Sequence, residues 1–134
     1  MDDVIQALRA SNEPVPVPLA LPDDDDIIFV QECLLLHLPD DYRDFLKEVG
    51  DVVCGTLEPG TVTDERAHTW LPEITAQAWS RDLPRDLINI CDLSDGCYTI
   101  AADGAVGRWF WGEGPSEEEW PSIWHWARDV WLTS

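Results

Sequence analysis

Positive charge is what this chain has least of. Its 134 residues hold 8 lysines and arginines against 27 aspartates and glutamates, a formal net charge of −19, and Lys47 is its one lysine. The imbalance excludes the usual electrostatic route to nucleic acid, which works by neutralising phosphates. It also sets the chain against anionic membrane surfaces within a Debye length of about 8 Å at physiological salt. It favours basic protein partners and speeds encounter with them. Solubility alone also accounts for an acidic surface, so charge by itself does not choose a partner.

Long apolar runs are missing too. The longest, IIFVQECLLL, is interrupted by Gln31 and Glu32 and falls short of the roughly 20 apolar residues that span a bilayer. The first residues, MDDVIQALRA, carry acids where a secretory leader carries a positive segment, so a cytoplasmic protein is expected. Cysteine falls at positions 33, 54, 91 and 97 with no CxxC, which reads as small buried thiols in a reducing compartment. Neither a phosphate-cradling glycine loop nor a G-x-S-x-G elbow occurs, which removes two common routes to catalysis.

The remaining chemistry is sparse. Cys33 and His37 stand four apart at helical spacing, but a zinc site needs three or four ligands. Cys54, His68, Cys91, Cys97 and His125 are scattered without ligand spacing, so no metal or other cofactor is expected. Asp92-Leu93-Ser94-Asp95-Gly96 lacks the alternating oxygen ligands of a calcium loop and is better explained as a hairpin turn. Cys97 with His68 or His125 would make a nucleophile and base only if the fold joined them, and nothing in the spacing does so. Enzymatic function therefore ranks below binding, with hydrolysis as its form if present.

What the chain does have is well-punctuated secondary structure. Residues 2–10 read as a short helix with Val4, Ile5 and Leu8 on one face. Pro14, Pro16, Pro18 and Pro22 then impose an extended strap, and the valines and leucines between them suggest that it lies on the core. Asp23 to Asp26 suit a helix N-terminus, predicting a helix from Asp25 to about Leu36, apolar on much of its circumference. In LPDDYRDFLKEVGD, Pro39 fits the first helical position. Tyr42, Phe45, Leu46 and Val49 fall at i, i+3, i+4 and i+7, and Gly50 offers a left-handed end.

VVCGTLEPGTVT, from Val52, reads as a short strand and turn, and Thr69 to Trp79 as a helix. LINICDL, CYTIA and AVGRWFW then form an antiparallel meander, with Asp95-Gly96 and Asp103-Gly104 at turns that tolerate positive φ. Ser116 and Glu119 have capping-box spacing, so a closing helix is expected to begin near Pro121. Its apolar face is Ile123, Ala127, Val130 and Trp131; Trp124 can share it, whereas Trp126 points elsewhere.

Two stretches carry a resemblance. Leu38, Pro39, Tyr42, Arg43, Phe45, Leu46 and Gly50, with Glu32 on the preceding helix, resemble the start of the SUKH superfamily (Smi/Knr type). NICDLSDGCYTIAADGAVGRWFW is similar to its second landmark, and the likeness spans roughly residues 24–131. Val49-Gly50 stands where the family commonly has Asn-Gly, and Asp95-Gly96-Cys97 where it often has Gly-Gly. The resemblance implies one α+β domain over residues 1–134, a mainly antiparallel sheet with helices packed on one side. Residues 1–22 add a helix and strap to a core of 23–134. It also implies a non-enzymatic role: bacterial members are regarded as immunity proteins that neutralise toxin domains, many of them nucleases, and a yeast member acts as a regulatory scaffold.

Eight tryptophans are more than one small core easily buries, so one or two are expected beside the acids of the tail. An aromatic anchor in a negative rim suits an arginine- or lysine-rich partner. The expected contact residues are Asp95, Asp103, Trp111, Glu113, Glu117, Glu118, Glu119 and Trp120.

Overall fold

The computed structural model describes residues 2–134. Its helices form where local signals agree. Helix α1 spans Asp2–Ala10, with Val4 and Leu8 buried. Helix α2 spans Asp24–Leu34 and opens on a reciprocal capping box. Asp26 N–H donates to the Asp23 carboxylate at 2.9 Å, and Asp23 N–H to the Asp26 carboxylate at 3.0 Å. Four carboxylates at this end also oppose the helix dipole favourably. Leu35 ends the helix in the left-handed region, at φ 57°, which costs a residue with a Cβ.

Helix α3, Asp40–Val49, begins just after Pro39 and buries Tyr42, Phe45, Leu46 and Val49 as their spacing predicts. Its end departs from expectation. Gly50 is right-handed, at φ −64°, because the chain continues into a further turn in which Val52 N–H reaches the Val49 carbonyl at 3.0 Å. The side-chain amide oxygen of Gln31 accepts from Leu38 N–H at 2.8 Å and ties the α2–α3 connection together.

The strap between α1 and α2 lies on the core less than its composition suggests. Val15 is half-buried and Pro22 buried, but Val17 and Leu21 face solvent. Its start is pinned where Glu13 N–H donates to Val53 at 2.8 Å and Asn12 accepts from Val53 N–H at 2.8 Å. The segment from Val52 is not a strand. Only two isolated bridges form there, Pro59 with Cys91 and Thr61 with Trp70, and Pro59 has no N–H to extend the ladder. Helix α4 follows as Leu71–Trp79.

The sheet is an antiparallel meander in the order β1-β2-β3-β4: Ile88–Asp92, Gly96–Ile100, Val106–Phe110 and Gly114–Trp120. The fourth strand replaces the expected helix start. Gly112 and Gly114, at φ 77° and 100°, turn the chain back so that GPSEEEW pairs with β3. The closing helix α5 begins at Ile123 behind Ser122, whose hydroxyl accepts from His125 N–H at 3.3 Å. It widens at once into a π-helical turn, Ala127–Trp131. That turn spaces i and i+5 residues together, so Trp126, expected to point away, stacks on Trp131 with ring centroids 6.3 Å apart and is fully buried.

Strand alternation sends Tyr98, Ile100 and Val106 to the helical side, where they join residues of α1–α5 in the main core. Cys97 and Trp109 face the other side and form a smaller cluster with Ala78 and Leu83. Gly104 uses its positive φ in the β2–β3 turn, at 92°. Gly96 serves differently: a Cβ there would lie 1.9 Å from the Trp109 carbonyl oxygen, so close strand approach requires glycine. Phe45 contacts both Trp124 and Trp131, and we expect Phe45→Ala to lower the unfolding free energy by about 3–5 kcal/mol in denaturant titration. Leu35→Gly should raise it by about 1 kcal/mol, read as a higher melting temperature, because the left-handed backbone then costs nothing.

Candidate functional site

The meander separates the expected contact residues. Asp95 and Trp111 meet at one end, where Trp111 N–H donates to the Asp95 carbonyl at 3.0 Å, and Glu113 lies in the same β3–β4 turn. Asp103 lies in the β2–β3 turn at the opposite end, accepting from Ala105 N–H at 3.0 Å. Glu119 and Trp120 pair with Gly107 and Val106 near that second end. Glu117 and Glu118 run along β4 between the two. The eight residues therefore do not form one patch.

Trp120 and Trp111 also sit on different sides of the sheet. Trp120 packs edge-on against Tyr98, with centroids 5.8 Å apart, on the core side. Trp111 joins the smaller cluster behind the sheet. The face of Trp111 is already taken by this chain's own Arg81, whose guanidinium lies 4.3 Å from the ring centroid. Arg85 covers Trp79 in the same way at 4.4 Å. An incoming cation would have to displace them. Four tryptophans (70, 124, 126 and 131) are buried and the other four half-buried, so none stands free as an anchor.

The carboxylates of the tail edge have a second, local use. Strand β4 has β3 as its one sheet neighbour, and an edge of open amides invites aggregation. Here the ladder shifts between Gly107 and Trp109, whose partners are Glu119 and Pro115, so Ser116 to Glu118 bulge outward. Ser116 Oγ accepts from Glu118 N–H at 3.1 Å. Pro115, the bulge and three successive glutamates together blunt the edge.

Cations inside the fold are mostly spent on structure. Arg108 is the clearest: its guanidinium bonds the Trp109 carbonyl at 2.8 Å and the Asp95 carboxylate at 2.7 Å, fixing the β1–β2 turn to β3. Arg43 pairs with Asp40 within α3, and Lys47 with Asp24, joining α2 to α3. Most carboxylates have no such partner among the described residues and face solvent.

The catalytic combinations weighed from sequence do not assemble. Cys97 is buried, and burial, the largest cause, pushes its thiol up to about 12. Cys91 is pushed up to about 12 by the same cause. His125 is engaged with Ser122, Nδ1 to Oγ at 2.7 Å, at the helix cap, and His68 pairs with Glu58 at 2.7 Å on the surface. Among the described residues no three His, Cys, Asp or Glu side chains converge as a metal would need. None of the helices described is long and apolar enough to cross a membrane.

Two features were not singled out from sequence. One is an apolar cavity of about 200 Å³ roofed by the strap, bounded by Val15, Val17, Phe45, Val49, Leu57 and Trp131, with Glu58 and His68 on its wall. The other is the outer face of α2. Every large apolar side chain that stands exposed among the described residues lies between positions 17 and 35. Ile28 and Leu35 share a shallow groove with Leu36, and Phe29 lies 6.3 Å from Trp70. The signal was present in IIFVQECLLL, which holds more apolar residues than one buried helix face uses.

These features define an acidic α+β domain, built on a four-stranded meander, with apolar and carboxylate-rich surface. The chain belongs to the SMI1-KNR4 cell-wall family (SUKH_5), whose model matches residues 1–132. It is also similar to a protein from Pseudomonas syringae pv. tomato known from its crystal structure, with 49% sequence identity, a TM-score of 0.95 and 100% of each chain covered. No curated protein matches the chain.

The thiols provide a direct check on this site geometry. Exposed Cys33 should react promptly with a thiol reagent, while Cys91 and Cys97 react only as the chain unfolds. Because both folded thiols hold their protons above the ordinary value of 9.0, the unfolded chain loses protons first as pH rises. Unfolding titrations should therefore show stability falling from about pH 9 toward pH 12.

Proposed function

We propose that this chain is a non-enzymatic protein-binding domain of the immunity type, which acts in the cytoplasm by covering a basic toxin domain. The observation that carries this reading is the unpaired carboxylate surface: 27 acids against 8 cations, with most of those cations held in ion pairs or stacked on the chain's own tryptophans. A nuclease is basic where it grips phosphate, so an acidic protein can occupy that surface by presenting carboxylates in place of phosphates. Family membership supports the reading, since it is compatible with immunity-like proteins. The absence of an activated nucleophile at Cys97 leaves binding as the simpler use of the surface.

A second reading is a regulatory scaffold for a cellular partner, and the cell-wall description of the family favours it. The two separate by experiment. If a toxin-like protein is encoded beside its gene, co-expression with the full chain should restore growth and yield a complex. Its association rate should fall steeply with added salt. Failure both to rescue and to bind would reject the immunity reading, and recovery of a non-toxin cellular partner would favour the scaffold.

A further inference from the structure

The outer face of α2 leaves large apolar side chains exposed, and it is built with some strain. Leu35 is 85% exposed while holding a left-handed backbone that glycine or asparagine would accept more easily. Ile28 is 49% exposed and Phe29 45%. Ile28 and Leu35 are seven residues apart, two helical turns, and line one groove. Single exposed apolar residues are ordinary, but two that line one groove with Leu36 make a contact surface.

Charge identifies the occupant. Residues 23–47 hold eight carboxylates, at 23–26, 32, 40, 41 and 44, against Arg43 and Lys47 alone. Asp103, from the β2–β3 turn, lines a groove with Asp40 and Asp41 and adds to the same acidic side. A second copy of this chain would bring an equally negative rim, and an anionic lipid surface would be repelled as well. The alternatives within the molecule are already engaged: the β4 edge is bulged and capped, and Trp111 is covered by Arg81.

We infer that the outer groove of α2, centred on Ile28 and Leu35, is the docking surface for a cationic protein partner that supplies apolar side chains ringed by lysine or arginine. The inference rests on the protein-binding reading above and assigns its surface. An apolar centre excludes water while the acidic rim orients a basic partner and rejects acidic ones, the arrangement of a specific transient interface.

The test is the charge-neutral pair Ile28→Ser/Leu35→Asn in the full chain, with folding checked by circular dichroism and melting. The probe is a synthetic amphipathic helix with leucine on one face and lysine on the other. Wild type should bind it, and the pair should bind it about tenfold or more weakly at equal net charge. The same helix with glutamate for lysine should not bind. Equal binding by wild type and variant, or none by wild type, overturns the proposal. So does a dimer that the pair dissociates, or wild-type binding to phosphatidylglycerol vesicles that the pair abolishes. Should the pair unfold, Leu35→Asn alone keeps the comparison, since asparagine suits that backbone. Where wild type neutralises the neighbouring toxin, an equally protective variant also overturns the surface. Where wild type fails to neutralise it, the immunity reading falls and the peptide result still decides the surface.

Discussion

Phe45 sets its ring edge-on against Trp124 at 5.4 Å and tilted against Trp131 at 5.7 Å. Through Trp131 the contact continues to Trp126, Tyr98 and Trp120. This line of rings ties α3 to the closing helix and both to the sheet, and it supplies most of the aromatic surface that the core removes from water. It also depends on the π-helical turn. A regular helix would rotate Trp126 away from Trp131, leaving one indole in solvent and a void beside Tyr98. The extra residue in the turn is thus repaid by packing, which is the usual reason such a turn survives.

The same line of rings bears on function. A chain with net charge −19 repels itself when compact, and a dense aromatic core is what offsets that repulsion. Tryptophans used this way are not available as surface anchors. Those behind the sheet are half-buried and shielded by Arg81 and Arg85. Apolar surface for a partner therefore has to come from aliphatic residues, and the one helix that carries them in excess is α2.

How far the fold could be read from sequence follows from how local its signals were. The span and buried face of helix α3 were legible because Pro39, the apolar spacing and the first-turn acids agree over ten residues. Strands β1 to β3 were legible from their alternation and two Asp-Gly turns. Strand β4 was not, because Ser116, Glu119 and the acids between them satisfy the local rules for a helix start. Its strand state is imposed by the left-handed glycines 112 and 114 and by pairing with β3, and solvent at the edge tolerates three glutamates in a row. Gly50 and Trp126 misled for a related reason: each depends on what the chain does one turn later. Of the expected contact residues, Asp95 and Asp103 fall in successive turns of the expected meander, so their separation to opposite ends was already implicit in the strand order.

The α2 face was half legible. Its excess of apolar residues is written in IIFVQECLLL, but how much of a helix its neighbours cover is a property of packing. The strap completes that geometry. Among the described residues no backbone hydrogen bond holds it between Glu13 and the Asp23 cap, so contacts at Val15 and Pro22 set its course over the cavity below. Its prolines restrict the chain before any partner arrives, which reduces the ordering cost that a flexible segment would add to binding.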